Sequence, residues 1–89
     1  MTYRLAVHTR ISPSPEDPGA GVLVDSRNFS AHYLSSDAYL VVRTALTHGA
    51  AGYDEIAGLL HITADEASAL AERLLTEMVE REWVTVTES

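Results

Sequence analysis

The hydrophobic period of this chain changes once, at Ser35. Before that residue apolar side chains recur at every second position, and after it they recur at three- and four-residue spacing. Strands therefore come first and helices second. That order gives an α+β fold, with a three-stranded antiparallel sheet followed by three helices, from 89 residues that suffice for one domain over 1–89.

Residues Tyr3 to Ile11 alternate cleanly, with Tyr3, Leu5, Val7, Thr9 and Ile11 on one face and Arg4, Ala6, His8 and Arg10 on the other. This spacing predicts one half-buried strand over 3–11. Ser12 to Gly21 holds all three prolines and reads as a loop, because proline cannot donate to a sheet ladder. A second strand is predicted over 22–25. Asp25 to Asn28 then forms a turn of residues that bond their own backbone. A third strand over 29–34 completes a hairpin, with Phe29, Ala31 and Tyr33 toward the core and Ser30 and His32 outward. One residue of slip would reverse that assignment.

The helices carry their own punctuation. Ser35 or Ser36 caps a helix over 36–48, Asp37 favours its dipole, and Gly49 closes it. A short helix follows over 53–60, with Tyr53, Ile56, Ala57 and Leu60 on one side. Thr63 and Glu66 make a capping box for the longest helix, over 64–81. Ala67, Leu70, Ala71, Leu74, Leu75 and Met78 form its apolar stripe. Trp83, Val84 and Val86 read as a short apolar tail docking onto the body.

The charge narrows the functions open to such a fold. There are 13 acidic residues against six arginines, with no lysine, for a net charge of −7. Nucleic acid and anionic membranes both attract basic surfaces, so neither is an expected partner. No apolar run approaches the roughly 18 residues of a membrane helix, and the start of the chain lacks a signal-peptide pattern, which predicts a cytoplasmic protein. Absence of cysteine removes disulfides, thiolate zinc sites and a cysteine nucleophile. The four histidines, His8, His32, His48 and His61, lack the close spacing of a metal pair. With no phosphate loop and no serine elbow either, no catalytic residue, cofactor or metal is expected, and the chain reads as a binding protein.

Two binding modes suit the pattern. A short helix, a turn and a capped longer helix resemble a helix-turn-helix, which makes a winged-helix DNA-binding regulator the alternative reading. From Asp65 to Glu82, however, the third helix and its end carry six acids against two arginines, a net of −4. A DNA binder neutralises on the order of 6–10 phosphates, which six scattered arginines cannot do from one face. The other mode is capture of an extended peptide as an added strand. Four or five backbone hydrogen bonds contribute roughly 0.5–1.5 kcal/mol each. Association costs about 4–15 kcal/mol. A strand edge therefore needs apolar pockets beside it, which the rim of the Ala67–Leu75 face can supply.

The segment GVLVDSRNFSAHYLSSDAYLVVRTAL, over residues 21–46, resembles that of PqqD-like proteins, in which a hairpin leads through Tyr-x-Leu-Asn/Ser into the first helix. The junction here reads His32-Tyr33-Leu34-Ser35. Tyr53 to Ala57 resembles the second helix of that family, and Leu74-Leu75 through Met78 to Trp83-Val84 the end of the third. The resemblance implies a winged-helix-like RiPP recognition element, which binds the leader of a ribosomally made precursor peptide. It further implies delivery to a leader peptidase or other modifying enzyme, most like the free-standing members of lasso-peptide pathways. Carried over by position, the peptide-binding residues are Phe29, Ser30, Ala31, His32, Tyr33 and Leu34 on the third strand, with Leu70, Arg73 and Leu74 on the helix. Where the family often has glycine before the final apolar pair, this chain has Glu82.

Overall fold

The computed structural model describes residues 2–87, including every side chain among them except that of Ala51. Nine elements follow in order: β1 (Thr2–Leu5), β2 (Thr9–Pro13), β3 (Gly21–Asp25), β4 (Ser30–Leu34), α1 (Ser36–His48), a 3-10 turn (Gly49–Gly52), α2 (Tyr53–Leu60), α3 (Ala64–Glu80) and β5 (Val84–Thr87). The strands form two antiparallel sheets, β2-β3-β4 and β1-β5. The fold is α+β, with a three-stranded sheet followed by three helices.

The predicted strand over 3–11 is in fact two strands belonging to different sheets. At Ala6 the ladder with the C-terminal strand ends, where the Ala6 N–H donates to the Trp83 carbonyl at 2.9 Å. The Thr9 N–H then returns to the Ala6 carbonyl at 3.0 Å, closing a turn with Val7 fully exposed at its tip. Beyond the turn His8 accepts from the Ser26 N–H, and β2 begins pairing with β3. The expected faces fail across this turn, where Ala6 is buried with Thr9 and Val7 is exposed. The apolar tail is likewise more than a tail. It is β5, with Val84 opposite Leu5 and Val86 opposite Tyr3.

The hairpin register also differs from expectation. The turn occupies Ser26 to Phe29, one position later than predicted, and the Asn28 side chain holds it by accepting from the Ser30 N–H at 3.2 Å and hydroxyl at 2.6 Å. That single step flips β4. His32 pairs with Leu23, which is wholly buried, so His32 lies on the core side. Ala31 and Tyr33 pair with Val24 and Val22 on the outer face, where Tyr33 is 67% exposed. Phe29 is not in the strand at all. It sits in the turn with φ of 55° and 92% exposure.

The helices follow their local signals. The Ser35 hydroxyl accepts from the Ala38 N–H, and Gly49 ends α1 at φ 62° while donating to the Ala45 carbonyl. Thr63 and Glu66 complete the capping box of α3 through reciprocal bonds of 3.1 and 3.2 Å. Their apolar faces meet the sheet in one cluster that includes Leu23, Val41, Val42, Ala45, Ile56, Ala71 and Leu75. Gly21 permits the sheet to lie against α1, since a Cβ there would collide with the Tyr39 ring. Helix α3 is thereby fixed beside β4 and leaves a groove between them.

Candidate peptide-binding groove

Among the described residues, β4 pairs only with β3, so its other edge is open. An antiparallel edge of this kind offers N–H and C=O groups from alternate residues to any incoming strand. Directly beside that edge is a groove of about 230 Å³. Leu34 of β4, Ala38 and Val42 of α1, Leu74 and Met78 of α3 and the Trp83 indole make it mainly apolar, while Glu77 and Arg81 stand at its mouth as an ion pair of 3.2 Å. Helical spacing explains the set, because 74 and 78, like 77 and 81, are one turn apart on a single face of α3.

Trp83 anchors this region. Its ring lies 4.5 Å from the His32 ring at a 47° tilt, and the Arg81 guanidinium sits over it at 5.1 Å. The indole N–H donates to the buried Asp25 carboxylate at 3.1 Å. Asp25 also accepts from the Arg27 backbone N–H and from the Arg27 guanidinium at 2.8 and 3.1 Å. The Arg27 side chain holds the Asp25 carboxyl far below the usual carboxylate range, against the opposing effect of burial, and the bond to Asp25 raises Arg27 in turn. The carboxylate thus stays charged, and its acceptor sites are taken up on all sides.

Arg27 also reaches across to the end of α3. It donates to the Arg81 carbonyl at 3.1 Å and to the Glu82 carboxylate at 2.7 Å, while the His8 ring bonds the Glu82 carbonyl at 2.8 Å. These contacts hold Glu82, where the sequence resemblance had led to glycine. Glu82 has φ of 62°, the left-handed conformation for which glycine is favoured. A side chain is kept there, paired with Arg27. Hairpin base and helix end are clamped together, and the clamp sets where Arg81 and Trp83 stand at the groove.

The residues singled out in the sequence are only partly gathered here. His32, Tyr33, Leu34 and Leu74 line the groove together. Ser30 lies at the start of β4 and positions His32 through a 2.9 Å contact between its hydroxyl and Nε2. Ala31 is on β4 but faces outward, and Phe29 is displaced into the turn. Leu70 and Arg73 line a separate, shallower depression with Glu66 and Ala69. Sequence reasoning missed Ala38, Val42, Glu77, Met78, Arg81 and Trp83. Met78 is already in the stripe and lies one turn from Leu74, and Glu77 lies one turn from Arg73, so helical spacing could have added both to the site. Trp83 gave no periodic signal. Among the described residues no group of three or more His, Asp or Glu gathers to hold a metal ion, and no helix is long and apolar enough to cross a membrane.

A scan of known protein families finds no match to this chain, and neither does a search of curated proteins. A solved structure does match. It is lasso peptide synthetase B1 complexed with the leader peptide, superposing with a TM-score of 0.76 over 97% of this chain and 100% of that one, at 21% sequence identity. At that identity the likeness is one of fold, consistent with the PqqD-like resemblance read from the sequence. The chain shares the fold of that protein over 97% of its length.

Proposed function

We propose that this chain is a PqqD-like RiPP recognition element, a peptide-binding domain that captures the leader of a ribosomally synthesised precursor. The observation that carries the proposal is the open β4 edge lying directly against an apolar groove. The leader adds antiparallel or parallel to β4 as a fourth strand of the β2-β3-β4 sheet. Its residues at every second position then point to the core side, where the groove accepts a bulky apolar side chain. Backbone pairing fixes the direction and register of the peptide, and burial in the groove supplies the affinity that pairing alone lacks.

Support comes also from the fold, shared with a protein solved in complex with a leader peptide. On this reading the protein catalyses nothing and needs no cofactor. It delivers the bound precursor to a leader peptidase or other modifying enzyme, a lasso-peptide pathway being favoured, and works in the cytoplasm where precursors are translated. Titrating the full chain into the labelled leader of the precursor encoded beside it tests the proposal. Saturable one-to-one binding in the micromolar range or tighter is the expected result, about −8 kcal/mol or better. No binding at high concentration would refute it.

A further inference from the structure

Helix α3 has a second side. Across it from the groove lies a larger hollow of about 440 Å³. Leu75 and Val79 of α3, Val86 of β5 and the rings of Tyr3 and Tyr53 form its floor. Val79 and Val86 are 37% and 39% exposed, so part of this apolar floor is open to water. The Tyr3 and Tyr53 hydroxyls meet at 3.4 Å, and burial pushes the Tyr53 phenol above its ordinary range, which keeps it neutral.

The rim has one sign of charge. Glu72 and Glu80 flank the floor at positions i and i+8 of α3, about 12 Å apart along the helix axis. Among the described residues no arginine or histidine lines the hollow. Elsewhere on α3 and its end, Glu77 is paired with Arg81 and Glu82 with Arg27. Among the described residues neither Glu72 nor Glu80 forms an ion pair, and Glu72 takes only a 3.4 Å bond from the Ser68 hydroxyl. An apolar floor between two unneutralised carboxylates has the complement of a definite shape: an apolar side chain with a cation on either side.

We propose that this hollow docks the enzyme that receives the leader, through a segment that presents an apolar side chain between two basic residues whose charged ends are about 12 Å apart. The inference rests on the functional reading above and adds the surface and the chemistry of delivery. Leu74 and Met78 face one way from α3, and Leu75 and Val79 face the other. Leader and enzyme can therefore be held at once, on opposite sides of a single rigid helix. Because the contacts at the rim are ion pairs near water, the enzyme complex weakens with added salt more than the leader complex does.

The test uses the full chain, its leader peptide and the purified leader-processing enzyme encoded beside it, with each binding measured separately by calorimetry. Val79→Asp, and independently the double variant Glu72→Arg with Glu80→Arg, should each weaken enzyme binding at least tenfold while leader affinity stays within twofold of the unaltered chain. The three substituted positions, Glu72, Val79 and Glu80, all lie outside the leader groove, so the two readings fail differently. Absence of leader binding by the unaltered chain overturns the functional reading and this one with it. Normal leader binding with no enzyme binding, or with enzyme binding that both variants leave unchanged, overturns the docking surface alone. A homodimer in sedimentation that Val79→Asp dissociates would also overturn it, by assigning the hollow to a second copy of this chain.

Discussion

Replacing Trp83 with alanine is expected to lower the unfolding free energy by about 3–5 kcal/mol, the range for removing a large buried aromatic. Domains of this kind have about 5–15 kcal/mol in total, so the loss is a large fraction of what holds the fold. The size follows from position. Trp83 is 9% exposed, and its carbonyl ends the β1-β5 ladder by accepting from Ala6. Its indole packs on His32 and donates to the buried Asp25. Alanine keeps the backbone bond but leaves a cavity under β4 and one Asp25 acceptor site without its donor. Urea unfolding followed by circular dichroism measures the change. A loss under about 1 kcal/mol would mean that Trp83 is a surface residue in solution.

The second large effect is on binding. Leu74→Asp should reduce leader affinity at least a hundredfold, about 2.7 kcal/mol, because it places a carboxylate in the apolar groove beside Glu77. Leu74 is only partly buried, so the helical signal in circular dichroism should persist. Leu70→Asp makes the same chemical change one turn away, in the separate depression with Arg73, and should cost clearly less. Ala31→Pro attacks the other half of the site. It removes an N–H from β4, and it should likewise abolish binding in protein that remains folded. Equal tolerance of Leu70→Asp and Leu74→Asp would show that the peptide lies elsewhere.

How much of this was legible beforehand depends on the range over which each signal acts. Helices α1, α2 and α3 stand at their predicted bounds to within a residue, since Ser35, Gly49 and the Thr63–Glu66 box act on their own backbone neighbours. Sheets are specified at a distance. The break after Leu5 depends on β5, some eighty residues later, and no pattern near Leu5 announces it. The flip of β4 turned on one residue of turn length, set by the Asn28 side chain, and it exchanged His32 for Tyr33 on the core side.

The site was visible in outline for the same reason. Its strand and Leu74 could be named from period and resemblance, whereas the clamp of Arg27 on Asp25, Arg81 and Glu82 joins two stretches of chain more than fifty residues apart. Only the folded geometry shows why a glutamate can occupy a position suited to glycine.

The central claim, that a peptide joins the sheet at β4, is tested most directly by amide hydrogen exchange with and without the leader. Exchange within Ser30–Leu34 should slow on binding at alternate residues, as expected when only every second N–H faces the open edge, while β5 is unchanged. Saturable binding that leaves every β4 amide exchanging at its original rate would contradict the account.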